Sequence, residues 1–155
     1  MKRHPSLIYL SRDHHHGLIL AQIVKKEAPH YKGLPHDTPG KINYVVSFYE
    51  NELKNHFDEE EKILFEFIKK KNEYFESAVN QLQEEHIKLS EYVFRLSNSK
   101  NPEADLNEFG ILLEQHIRFE ERELFEKIQT QFSEDELNQL SQKLNREDNP
   151  SKCIT

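Results

Sequence analysis

Two stretches of the chain carry one residue pattern: LKNHFDEEEKILF at positions 53–65 and LEQHIRFEERELF at positions 113–125. Each begins with Leu, has His three residues later and a Glu pair four and five residues after that His, and ends in Leu-Phe. Residues three and four apart share one face of an α-helix, so each stretch predicts a helix whose apolar face includes a His and a Glu. Both residue types are unusual in a core, and the repeat therefore predicts a site with a chemical role.

Two further helices are each predicted to have one inward-facing His. His86 and His14 both lie in rows of apolar residues at helical spacing. The row through His14 has more apolar members than the row through His15, so His14 is the first choice and His15 the second. The rows are Val79, Leu82, Leu89 and Val93 around His86, and Leu7, Leu10, Leu18 and Ala21 around His14.

Helix signals cover most of the chain, and no stretch alternates as a strand would. Four long helices are predicted, from about 11 to 29, 38 to 70, 72 to 97 and 101 to 131, followed by a short one over 134–145. Thr38, Asn72 and Asn101 are the predicted N-caps, and Ser133 with Glu136 matches a capping box. Short connections favour antiparallel neighbours, so the prediction is an all-α, up-down-up-down four-helix bundle with a short C-terminal helix. The domain is expected to span residues 1–146, with a flexible tail at 147–155.

Composition limits the classes of function. A chain of 155 residues with 35% hydrophobic content can form the core of one domain. The net charge of -7 and the lack of a basic stripe argue against nucleic acid as a partner. The N-terminal region has no long apolar run, which argues against a membrane helix, and the single Cys153 is compatible with a reducing compartment. We therefore expect a soluble, cytoplasmic protein.

Burying this many ionisable side chains has a large cost unless they pair or bind metal. Imidazole and carboxylate groups suit iron, manganese or zinc, and two carboxylates can bridge two cations that four imidazoles hold. A metal-free helical interaction module is the competing interpretation, in which the acidic runs are solvated faces. This metal-free interpretation is the weaker of the two, because the His and Glu recur twice among apolar residues at the same spacing. The acids Asp58, Glu59, Glu61 and Glu121 are expected to face water. The predicted metal ligands are His14, His56, Glu60, His86, His116 and Glu120.

These residues resemble the hemerythrin-like HHE cation-binding domains. The resemblance extends from about Leu7 to Gln131 and depends on DHH at 13–15, HFDEE at 56–60, EEH at 84–86 and HIRFEE at 116–121. It implies a four-helix bundle with a non-haem di-iron centre on the six predicted ligands, in which Glu60 and Glu120 bridge the irons.

The chain departs from the oxygen-carrying members of that family at two points. Those proteins have a second His one turn after the third-helix His, where this chain has Ser90. Their last carboxylate lies five residues after its His, which would select Glu121 instead of Glu120. One ligand fewer leaves an open coordination position, or a water, on one iron.

Other metal-site patterns do not fit. Ferritin-like bundles have Glu three residues before His, and the corresponding residues here are Leu53, Gln83 and Leu113. The HExxH pattern of zinc hydrolases is also absent from the sequence. We therefore expect a di-iron protein, more a binding protein than an enzyme, that binds or senses a small ligand such as dioxygen, nitric oxide or iron. A di-iron oxidase or peroxide-scavenging enzyme is the alternative, and no protein partner is indicated.

Overall fold

The structure is a computed structural model that describes residues 1–144. Within that range it contains helices and turns but no strand, so the all-α prediction is confirmed. A 3₁₀ turn at Pro5–Leu7 leads into helix α1, Ile8–Val24. It is followed by α2 at 38–68, α3 at Glu73–Leu96, α4 at 102–131 and α5 at Glu134–Lys143. Both α1 and α3 pack against α4, and α5 packs against the 3₁₀ turn. In the described range no helix is long and apolar enough to cross a membrane.

Two of the helices contain π turns, which the helical pattern does not predict. In α2 the segments are Thr38–Phe48, the π turn Tyr49–Leu53, Lys54–Glu59, the π turn Glu60–Leu64, and Phe65–Ile68. In α4 they are Pro102–Phe119, the π turn Glu120–Leu124, and Phe125–Gln131. A π turn therefore begins four residues after the His of each repeat, at Glu60 and at Glu120, and π turns in α-helices are frequent at functional sites.

Most helix starts match the predicted caps. The Asn72 and Asn101 side chains accept N–H bonds at the starts of α3 and α4, and Ser133 with Glu136 forms the capping box of α5. The cap of α2 is Asp37, which accepts the N–H of Gly40, so the prediction of Thr38 is wrong by one residue.

The first helix also differs from its prediction. It begins at Ile8 because the 3₁₀ turn leads directly into it, and it ends at Val24, five residues before Pro29. The predicted end of α5 at Asn145, the predicted tail at 147–155 and Cys153 lie outside the described residues.

A polar layer divides the core into two apolar clusters. Along α1, Leu10 belongs to one cluster and Leu20 to the other, with His14 between them. The other long helices repeat this order, with a buried His or a His-Glu pair between the two clusters. The flanking residues are Leu53 and Leu64 in α2, Leu82 and Leu89 in α3, and Leu113 and Leu124 in α4. The layer is therefore enclosed by apolar packing on both sides.

Two glycines allow α1 and α4 to approach closely. A Cβ on Gly17 would lie 2.7 Å from Cδ1 of Ile117, and a Cβ on Gly110 would lie 3.0 Å from the backbone oxygen of Ala21. A larger residue would force the Ile117 side chain to move at Gly17 and would press on the backbone of α1 at Gly110. The spacing matters for the polar layer because His14 on α1 faces ligand candidates on α4.

Candidate metal centre

The structure brings the six predicted ligands together in the polar layer. Each of them is at most 4% exposed, and Glu60 and Glu120 are fully buried. His15, the second choice on α1, is exposed. Glu120, not Glu121, points into the layer, since Glu121 contacts His14 from its outer side. The six residues are His14, His56, Glu60, His86, His116 and Glu120.

The donor atoms form two groups that share both carboxylates. The first group contains His14 and His56, the second contains His86 and His116, and each also contains Glu60 and Glu120. Within each group, one donor atom from every residue lies within 4.8 Å of the others. We call these groups the first and the second cation position. Two imidazoles for each position and two carboxylates shared between them form a donor set for a pair of cations.

The repeat gives the two positions nearly the same geometry. The rings of His14 and His56 have centroids 4.8 Å apart, and those of His86 and His116 are 4.9 Å apart. Phe125, the last residue of one repeat, stacks on His14 at 5.5 Å. Phe65, the matching residue of the other repeat, stacks on His86 at 5.7 Å. Both Phe residues follow a π turn, in which the N–H of the Phe bonds to the carbonyl of the Glu five residues earlier.

Polar atoms at the middle of the layer lack hydrogen bonds. The unsatisfied atoms are Nε2 of His56, His86 and His116, Oε2 of Glu60, and both carboxylate oxygens of Glu120. The Nε2 atoms lie 2.7 to 3.6 Å from these two carboxylates, but the angles do not make hydrogen bonds. Buried polar atoms without partners are rare and costly. A cation between them would satisfy the whole set, so the residues fit a bound metal.

Without metal, the layer is a network of charged pairs. Burial by itself lowers the pKa of His56, but Glu60 and a hydrogen bond to Asp13 outweigh it and raise that pKa to about 9. The pKa of His86 is raised to about 9 in the same way, against burial, by Glu60 and Glu61. Burial raises the pKa of Glu60, but the surrounding imidazoles hold it well below its usual range. Protons therefore take the place of metal cations and must leave when metal binds.

Each of the four imidazoles has a carboxylate on its outer nitrogen. Nδ1 of His14 lies 2.7 Å from Glu121 and Nδ1 of His86 lies 3.0 Å from Glu61. The prediction that Glu61 and Glu121 only face water is therefore wrong. The two remaining pairs are His56 with Asp13 at 3.0 Å and His116 with Glu85 at 3.1 Å. Asp13 and Glu85 each precede a buried His in sequence, which is a signal that could have identified them.

The other two acids expected at the surface differ from each other. Glu59 is only 6% exposed, so the prediction that it faces water is wrong as well. Asp58 has a half-exposed side chain beside Lys62, in agreement with the prediction. Glu59 precedes the inward Glu60, and its place in the helix gives no separate signal for burial.

Ser90 occupies the position where oxygen carriers have another His. Its hydroxyl donates to the backbone oxygen of His86 at 2.9 Å and lies 3.1 Å from the hydroxyl of Tyr49. It is not among the grouped donor atoms. A surface pocket of about 380 Å³ adjoins it, lined in part by His86, Phe57 and Phe94. The second cation position therefore lies beside a pocket that opens on the surface.

Comparison with known proteins gives a family for the chain. The model of the hemerythrin HHE cation binding domain matches residues 8–128, which include all six candidate ligands. Neither curated proteins nor solved structures gave a significant match. Since the matched region covers most of the chain, the protein belongs to the hemerythrin HHE cation binding domain family.

Proposed function

We propose that this protein is a non-haem di-iron protein that binds or senses a small ligand such as dioxygen, nitric oxide or iron. The observation that carries the proposal is the pair of donor groups that share Glu60 and Glu120. The unsatisfied atoms of these groups support metal binding over a metal-free interaction module, because a cation between them would satisfy them together. Membership of a cation-binding family supports it too.

The proposed ligand set follows the two groups. His14 and His56 would hold one iron, His86 and His116 the other, and both carboxylates would bridge. An iron pair supplies reversible redox chemistry and a coordination position for a diatomic ligand. The apolar clusters above and below the layer exclude water, which limits loss of a reactive ligand to solvent. We propose the up-down-up-down order for the four long helices, since it lets each of them contribute one His.

The second cation position is the better candidate for ligand binding. The hydroxyl of Ser90 is bonded to backbone and to Tyr49, so that side chain is not offered as a further ligand. A coordination position left open there would adjoin the pocket beside Phe57. Phe57 stacks on His86 at 3.9 Å and gives the position an apolar wall. This favours a small, weakly polar ligand.

Metal analysis tests the proposal. Protein purified without chelators and loaded anaerobically with ferrous iron should bind about two irons per chain. Replacing His56 or His116 by Ala should lower the iron content to about one per chain, whereas His15→Ala should leave it unchanged, because His15 is exposed. A wild-type protein that folds but binds no iron would contradict the proposal.

Exposure to dioxygen separates the binding protein from the enzyme. Reduced, iron-loaded protein should show an optical change that reverses when dioxygen is removed. Irreversible oxidation with continued consumption of hydrogen peroxide would instead support the oxidase or peroxide-scavenging alternative. As a control, the iron content is measured before and after each exposure and should not change, because loss of metal would also abolish the optical signal.

A further inference from the structure

The four outer carboxylates come from neighbouring helices in a fixed order. His14 on α1 bonds to Glu121 on α4, and His56 on α2 bonds to Asp13 on α1. His86 on α3 bonds to Glu61 on α2, and His116 on α4 bonds to Glu85 on α3. Every long helix therefore gives one His and one acid to these pairs. The pairs join α1 to α4, α4 to α3, α3 to α2 and α2 to α1, which is a closed ring.

The ring determines which nitrogen faces the metal. An ionised carboxylate can only accept hydrogen bonds, so each Nδ1 must carry the proton and donate it. The remaining nitrogen, Nε2, is the one found in the middle of the layer for His14, His56, His86 and His116. A His that binds metal through one nitrogen is oriented by the bond that its other nitrogen makes.

Two acids of the ring, Glu121 and Glu85, are held in place by more than their His partners. Glu121 accepts a bond from Ser11 at 2.7 Å and pairs with Arg3 at 2.8 Å. Glu85 accepts a bond from Gln81 one turn earlier on α3. These two carboxylates are therefore held in place as acceptors by several contacts each.

We propose that Asp13, Glu61, Glu85 and Glu121 are positioning residues of the metal centre and that each pair of them serves one cation position. Asp13 and Glu121 orient the imidazoles of the first position, and Glu61 and Glu85 orient those of the second. The inference depends on the proposed metal-binding function. It goes beyond that function because it assigns residues that do not touch the metal to separate halves of the centre.

The test is a titration of metal-free protein with ferrous iron under anaerobic conditions. Variants Asp13→Asn, Glu61→Gln, Glu85→Gln and Glu121→Gln keep the shape of each side chain and remove its charge. Each should weaken one of the two binding steps by about tenfold to a hundredfold and leave the other within a few-fold. Glu84→Gln is the matched control for Glu85→Gln, because Glu84 is adjacent in sequence but exposed. Glu123→Gln serves Glu121→Gln in the same way.

Double variants test the division into halves. Asp13→Asn with Glu121→Gln should weaken one step only, whereas Glu85→Gln with Glu121→Gln should weaken both. Equal weakening of both steps by each single variant, or an effect no larger than that of the control, overturns the proposal. Failure of the wild-type protein to bind iron would instead overturn the proposed function.

A second readout does not need metal. Nδ1 protons of these buried imidazoles, bonded to carboxylates, should give downfield, slowly exchanging proton signals in the metal-free protein. Glu121→Gln should move the signal of His14 alone, and Glu85→Gln that of His116 alone. Unchanged signals in these variants, or loss of all four signals in each, would show that the acids do not act on single imidazoles.

Discussion

The two cation positions are built from matching parts but are supported differently. Each has two imidazoles about 4.8 to 4.9 Å apart, a stacked Phe and the same two carboxylates. Around the first position, Arg3 pairs with Glu121 and lies 5.3 Å from the ring of Phe125. Around the second, Glu61 has a 37% exposed side chain and, among the described residues, forms no ion pair with Lys or Arg.

The repeats also differ at the residue that follows each His. Phe57 in the first repeat corresponds to Ile117 in the second. Ile117 packs against Gly17 where α1 and α4 approach, so that side is closed by helix packing. Phe57 stacks on His86 and lines the surface pocket. The first cation position is therefore closed by helix packing and the second lies near solvent, although the two sets of candidate ligands match.

The shared carboxylates should give the largest effect. Glu120→Gln removes a donor from both positions, and we expect bound iron to fall from about two per chain to near zero. Iron content after gel filtration measures this, and circular dichroism checks that the helices persist. Retention of a full iron complement would show that Glu120 does not bridge.

Replacing one imidazole should break only half of the centre. His14→Ala should lower iron content from about two to about one per chain, because His86 and His116 keep their donors. His15→Ala is the control, since it changes the adjacent, exposed residue. If both variants behaved alike, the orientation of α1 in this account would be wrong.

A bulky residue beside the pocket should affect ligand binding and not metal content. Ser90→Leu places apolar volume next to His86. We expect it to lower the rate of nitric oxide binding to the iron-loaded protein by about tenfold. Stopped-flow absorption measures the rate. Ser97→Leu, at an exposed position of the same helix region, is the control. Unchanged rates would indicate that ligands enter elsewhere.

Loss of metal should make stability depend on pH. In the unfolded chain His56 and His86 deprotonate near pH 6.5, but in the folded, metal-free protein they do so near pH 9. Between these values the folded state binds more protons, so its free energy of unfolding should fall as pH rises from about 6.5 through 9.

Denaturant unfolding at several pH values measures this fall. The iron-loaded protein should not show it, because its ligating imidazoles are already neutral. An equal slope with and without iron would contradict the assignment of His56 and His86 as ligands.

Replacing Arg3, which supports only the first cation position, should give the smallest of the predicted changes. Its guanidinium donates to the Glu121 carboxylate at 2.8 Å and to the backbone oxygen of Glu121 at 3.0 Å. Arg3→Ala should lower the free energy of unfolding by about 1–2 kcal/mol, since these charge-assisted bonds are partly buried.

Arg12→Ala is the control for this variant, because Arg12 is exposed and contacts the ring of Tyr9. Urea unfolding of the metal-free proteins measures both changes. A loss no greater than that of the control would show that Arg3 does not stabilise the first position.

The sequence predicted the inward residues well because helical periodicity reports which face is buried. His14 was preferred over His15 by its apolar neighbours, and it is His14 that the structure buries. Caps at Asn72, Asn101 and Ser133 were also predicted, because short polar side chains before a helix bond to its first N–H groups.

Features that depend on neighbouring helices were missed. Glu61 and Glu121 look like surface acids within their own helices, and only packing brings them to His86 and His14. Arg3 lies 118 residues from its partner Glu121 in sequence. The π turns at Glu60 and Glu120 leave no mark in a pattern of three and four residues.

Two cations held in one layer on shared carboxylates would be visible in crystals of the iron-loaded protein by anomalous diffraction at the iron edge. We expect two peaks, one bounded by His14 and His56 and the other by His86 and His116, both in contact with Glu60 and Glu120. A single peak, no peak in this layer, or iron held by other residues would contradict this expectation.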